Sequence, residues 1–158
     1  MDHIISHPLF TKGLVLVDST IHCLSHFQRV EKLGHIMAEE NGADKNVISL
    51  FAYLHDARRH DDLDDIGHGH RASLLLKELI AAEAITLSDF QYDQLKIALA
   101  CHELREATSD DVTIQTCWDA DRLDLWRDGI TPNPDLLFTK QGKSQHMINF
   151  AKELNFGV

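Results

Sequence analysis

Apolar positions recur at helical spacing along nearly the whole chain, and no window alternates apolar and polar residues with the period of two that a half-buried strand requires. The stripe Cys23, Phe27, Val30, Gly34 and Met37 predicts a helix from a Ser19 or Thr20 cap to about Glu40, closed by Asn41-Gly42. Asp44 then caps a second helix through Val47, Leu50, Phe51 and Leu54, apolar on most faces and therefore central. Three more are expected over roughly 67–84, from a Ser88 cap to about 104, and over roughly 112–126. Pro132 and Pro134 interrupt the pattern before a last helix near 144–154. The expected fold class is all-α, a single-domain helical bundle over residues 1–158, with no repeat or linker dividing it.

Composition narrows the classes. A chain of 158 residues with 44% hydrophobic and 25% charged residues is long enough for one core and too apolar for wholesale disorder. Only 3 Pro and 8 Gly argue against a turn-rich all-β fold or a collagen-like repeat. The net charge of −10 argues against a nucleic-acid polymer as partner, because such binders need clustered Lys and Arg to displace counterions from phosphate. Cys23, Cys101 and Cys117 make no CxxC pair and read as packing residues in a reducing compartment. The first ten residues lack a cationic stretch followed by an apolar core, and the apolar run at 14–17 is too short for a signal or a membrane span. A cytoplasmic protein with no membrane partner is the expectation.

The 11 His outnumber the 7 Phe, and their positions carry the candidate chemistry. His55-Asp56 ends the helix that is otherwise built to be buried, and such a charged pair needs compensation. A divalent cation supplies it, taking a neutral imidazole nitrogen and a carboxylate oxygen. Other polar residues lie on core-facing stripes: His68 with Ala72, Leu75 and Leu79, His102 with Leu95 and Ala98, Asp121 with Ile114, Trp118 and Leu125. His26 shares its stripe with His22, Arg29 and Leu33 and is expected at a polar boundary of the core. His70, with Leu74 and Lys77, is placed around the ligands or in solvent.

These residues resemble the HD-domain superfamily of metal-dependent phosphohydrolases, whose hallmark is a first His, a His-Asp pair and a distant Asp on helices of an α-bundle. The likeness covers roughly residues 21–129: His26, then His55-Asp56, then Asp121 in Asp119-Ala120-Asp121-Arg122-Leu123-Asp124, where the family's ligand is the first Asp of Asp-x-x-Asp. Branches that hold a second metal add two His, and His68 and His102 stand in those places. The resemblance implies one or two divalent ions, with Mn, Fe, Mg, Ni and Zn not distinguished, and hydrolysis of a phosphate ester. By fold-level analogy a small phosphorylated metabolite or nucleotide is the implied substrate, and no Gly-rich phosphate loop or Walker pattern points to a nucleoside triphosphate.

In mononuclear nucleotidase members a Glu stands three residues after the metal-binding Asp, and in several dinuclear members a Lys. Here the residue is Arg59, which removes the obvious general base and offers a planar fork suited to phosphate. Asp56 and Arg59 are therefore the expected catalytic pair, with Arg29, Arg59 and Arg122 on the substrate. Asp124, Glu103, His22 and His70 are expected around the ligands, and the acidic stretch 61–65 as a loop over the site. The six-residue pattern also resembles the oxygenase branch of the fold, where two irons activate dioxygen. A third reading is a non-enzymatic sensory or binding module that retains a metal.

Overall fold

Asp44, Ser88, Asp111 and Ser144 each turn a side-chain oxygen onto the first free backbone N–H groups of a helix, and those four caps set the starts of most of the bundle. The computed structural model describes residues 6–13 and 19–157, and these form one all-α domain. Its helices are α1 (Pro8–Gly13), α2 (Leu24–Asn41), α3 (Lys45–Leu54), α4 (His68–Ala81), α5 (Asp89–Cys101), α6 (Val112–Leu123) and α7 (Gln145–Phe156). Short 3-10 turns follow α6 at Asp124–Asp128 and lie at Pro134–Leu136. The apolar run 14–17 and His3 lie outside the described residues.

Helix α3 is central, as its all-round apolar character requires: Val47, Ile48, Leu50, Phe51 and Leu54 are all buried, against α2, α5 and α6. Trp118 of α6 donates its indole N–H to the carbonyl of Ala98 on α5, which satisfies the polar end of the largest buried side chain. Helices α4 and α5 pack closely. A Cβ on Gly69 would stand 2.5 Å from the carbonyl oxygen of Leu99 and 3.1 Å from Nδ1 of His102, so only glycine lets the first turn of α4 close onto the end of α5.

Helix ends depart from the sequence pattern for local reasons. Ser19 does not cap α2: its hydroxyl accepts from the N–H groups of Ile21 and His22, which makes a tight turn, and the helix begins at Leu24. Helices α4, α5 and α6 stop at Ala81, Cys101 and Leu123, earlier than expected, with α6 tightening into the 3-10 turn. Helix α1, six residues long, is too short to display a period. Cys117 is buried, while Cys23 and Cys101 are half-buried, and all three are free thiols. Among the described residues no helix is long and apolar enough to cross a membrane.

Candidate metal centre

Four imidazoles from four parts of the chain meet with the same orientation. Nδ1 of His26 lies 2.7 Å from Oδ2 of Asp124. In His55, Nδ1 faces the carbonyls of Phe51 and Ala52 at 3.2 and 3.1 Å. In His68 it faces the carbonyl of Asp65, and in His102 that of Leu99, each at 2.8 Å. A carbonyl or carboxylate oxygen only accepts, so each ring holds its proton on Nδ1 and turns a bare Nε2 inward. The Nε2 atoms of His26 and His55 are 3.1 Å apart, and those of His68 and His102 are 2.7 Å apart. Two lone pairs cannot share a hydrogen bond, and a cation between them is what this donor set fits.

Asp56 joins the two pairs. Its Oδ2 is 3.5 Å from Nε2 of His26 and 3.3 Å from Nε2 of His55, while its Oδ1 is 3.4 Å from Nε2 of His68 and 3.8 Å from that of His102. Asp121 Oδ1 completes the first group at 3.6 Å from both His26 and His55. His26, His55 and Asp121 thus form one set spaced for a metal ion, and Asp56, His68 and His102 form another. Oxygen and imidazole donors of this kind suit a divalent first-row metal.

The field at the centre favours positive charge. Burial opposes charge on the His55 ring, but Asp56 and Asp121 beside it push its pKa up to about 10, so a proton and a metal ion compete for its inward Nε2. Burial likewise opposes the charge on Asp56 and Asp121, yet the surrounding imidazoles hold both carboxyls well below the usual range. His68 moves the other way, lowered by burial and by the neighbouring His102.

Supporting contacts come from several elements. His22 places Nδ1 2.7 Å from Asp56 Oδ2 and turns Nε2 toward Asp62 at 3.9 Å. Glu103 accepts the N–H groups of Gly67 and Gly69 at the start of α4, with Oε2 3.2 Å from Nδ1 of His68. Asp124 accepts from His26, Arg29 and Asn155 together. Asp119, two residues before Asp121 on α6, faces away: it accepts the N–H groups of Phe138 and Thr139 and the Thr139 hydroxyl.

Three expectations change. His26 is not at a boundary but fully buried, at 0% exposure, because the buried Asp124 accepts from its Nδ1. His70 is exposed and does not support a ligand; two residues beyond His68, it points to the opposite side of α4. Arg29 is not open to a substrate, since its Nε and Nη2 are both spent on the Asp124 carboxylate. Arg59 is partly committed: Nε and Nη2 donate to the carbonyls of Asp61 and Leu63 and hold the acidic loop, leaving Nη1 3.5 Å from Asp56 Oδ1 and 3.2 Å from Nε2 of His68. Arg122 donates to the carbonyl of Leu136 and lies 5.0 Å over the Phe138 ring.

A cavity of about 550 Å³ adjoins His102, between the end of α5 and the segment 132–138. Arg105, Arg122, Glu106 and Asn133 line it together with Leu137 and Phe138. Sequence periodicity missed two residues near the centre. Gly69 has no signature before its neighbours are known. Arg127, on the 3-10 turn, follows Asp121 by six positions, which a continuous α-helix would set about 120° away around its axis.

No family model matches the chain, and no curated protein matches it. Among solved structures, the chain is similar to a crystal structure from an uncultured Thermotogales bacterium, described as a predicted HD superfamily hydrolase. The two share 22% identity over 90% of this chain and 80% of that one, with a TM-score of 0.68. The seven helices and the His/Asp cluster are therefore set in an HD-type fold.

Proposed function

We propose that this HD-fold protein is a metal-dependent hydrolase of phosphate esters, acting on a small phosphorylated metabolite or nucleotide. The observation that carries the reading is the set of four inward Nε2 atoms, each fixed by its own Nδ1–H, around the two oxygens of Asp56. His26, His55, Asp56 and Asp121 would hold one divalent ion, and Asp56, His68 and His102 a second. A divalent cation bound there would supply a water acidified toward neutrality and a Lewis acid for a phosphoryl oxygen.

The chain's own residues do the remainder. Asp56 keeps both oxygens on the centre because His22 fixes it from behind through Nδ1. The Nε2 of the same ring faces Asp62 of the outer loop at 3.9 Å, beyond hydrogen-bond reach. Nη1 of Arg59 stands at the Asp56–His68 edge, where it neutralises charge on a phosphoryl oxygen. The cavity beside His102 receives the organic part of the ester, with Arg122 and Arg105 on its polar rim and Leu137 and Phe138 on its apolar wall.

Protein purified without added metal, analysed for metal-to-chain ratio and then assayed anaerobically on phosphate esters with Mn²⁺, tests the reading. Release of inorganic phosphate that disappears in Asp56→Ala is the expected result. Turnover that needs dioxygen and iron would assign the oxygenase reading instead, and bound metal without turnover of either kind would leave a binding module.

A further inference from the structure

We infer that Arg127 is the cation that receives a phosphoryl oxygen on the Asp121 side of the centre, an inference that rests on the phosphohydrolase reading above. Three arginines near the candidate site, Arg29, Arg59 and Arg122, each have at least one guanidinium nitrogen hydrogen-bonded within the protein. Arg29 is taken by Asp124, Arg59 by the carbonyls of Asp61 and Leu63, and Arg122 by the carbonyl of Leu136. Arg127 differs. Its side chain is 9% exposed, yet its Nε and Nη1 have no hydrogen-bond partner. Arg58 also has an unpaired Nε, but that guanidinium is paired with Glu78 through Nη2.

The charges facing Arg127 are too distant to hydrogen-bond. Nη2 is 4.0 Å from Asp121 Oδ1, and Nε is 3.8 Å from Oδ2 of Asp128. A guanidinium buried without acceptors costs stability, and folds retain such groups where a ligand completes them. Asp121 is also the more open of the two central carboxylates, with 18% of its side chain exposed against 3% for Asp56. A cation held by Asp121 would draw that carboxylate's charge away from Arg127, which leaves the buried guanidinium beside Asp121 with an unmet demand for an anion. A phosphoryl group carries the charge and the acceptor oxygens that meet it.

Equilibrium dialysis with inorganic phosphate, in the presence of Mn²⁺, on the wild-type protein and on Arg127→Met and Arg127→Lys tests the inference. The expected result is phosphate binding weakened at least ten-fold in Arg127→Met and less in Arg127→Lys, with metal content unchanged. The melting temperature of Arg127→Met should be equal to or above that of the wild type, since a strut would lower it. Phosphate binding undiminished in both variants overturns the inference and leaves the phosphohydrolase reading standing. A lowered melting temperature with lost metal in both variants makes Arg127 structural and also overturns it. Wild-type protein that binds no phosphate overturns both.

Discussion

Asp124 Oδ2 lies 2.7 Å from Nδ1 of His26, although the two residues are 98 positions apart in the chain. The contact sets the tautomer of His26, and the same carboxylate binds Arg29 through both oxygens, so one buried acid fixes an imidazole on α2 from the turn after α6. Burial works against its charge, but hydrogen bonds from His26, Arg29 and Asn155 outweigh it and hold its carboxyl below the usual range.

The sign of the pH dependence follows. A lowered carboxyl contributes its stability fully above the unfolded value and loses it as pH falls through the folded one. Urea unfolding from pH 7 downward should show a loss below about pH 4 that is reduced in Asp124→Asn. Asp124→Ala, which leaves the buried His26 and the half-buried Arg29 without their acceptor, should cost about 3–5 kcal/mol at pH 7.

The two donor groups predict separable effects on metal content. Asp121→Ala should lower the metal-to-chain ratio through the first group, His68→Ala through the second, and Asp56→Ala through both. Elemental analysis of the three variants checks this. Equal loss in Asp121→Ala and Asp56→Ala would show that the two groups are not joined as their distances indicate.

Gly69→Ala places a methyl 2.5 Å from the Leu99 carbonyl oxygen, which must move, and α4 must shift from α5 with it. Overpacking of this kind costs about 1–3 kcal/mol. The expected outcome is a lower melting temperature together with weaker binding at the His68–His102 pair, and unchanged binding at the His26–His55 pair.

Asp119→Ala is the control for its neighbour Asp121. It strands the N–H groups of Phe138 and Thr139, at a cost of about 1–3 kcal/mol, because a buried donor without an acceptor loses its solvation outright. Denaturation midpoints should fall while the metal-to-chain ratio of the folded protein stays at the wild-type value.

Much of this candidate centre is legible in the chain because its His and Asp residues interrupt apolar helical stripes. His68, His102 and Asp121 were assigned inward on that ground, and the structure brings them together with His26 and His55-Asp56. The same logic divides three acids of one segment: Asp121 faces the imidazoles, Asp119 ties down the loop at 138–139, and Asp124 backs His26. What periodicity could not reveal depends on distant partners. The engagement of Arg29 comes from Asp124, far along the chain, and the role of Gly69 comes from Leu99 and His102. Ser19 bends a loop and does not cap α2, a difference that sequence does not display because the hydroxyl accepts from nearby N–H groups in both cases.

The inward Nε2 atoms also bear on how the molecule is assembled. The groups that hold their Nδ1 protons come from α3, from the loop before α4, from α5 and from the turn after α6. Among the described residues no short stretch contains a finished donor set, so metal capture at this site would have to wait for the long-range contacts that close the bundle. An ion that binds only the closed form then raises the barrier to reopening as well as the equilibrium stability. Loaded protein should accordingly resist proteolysis as a whole, from α2 to the turn after α6, and lose that resistance in one step when a chelator removes the ion.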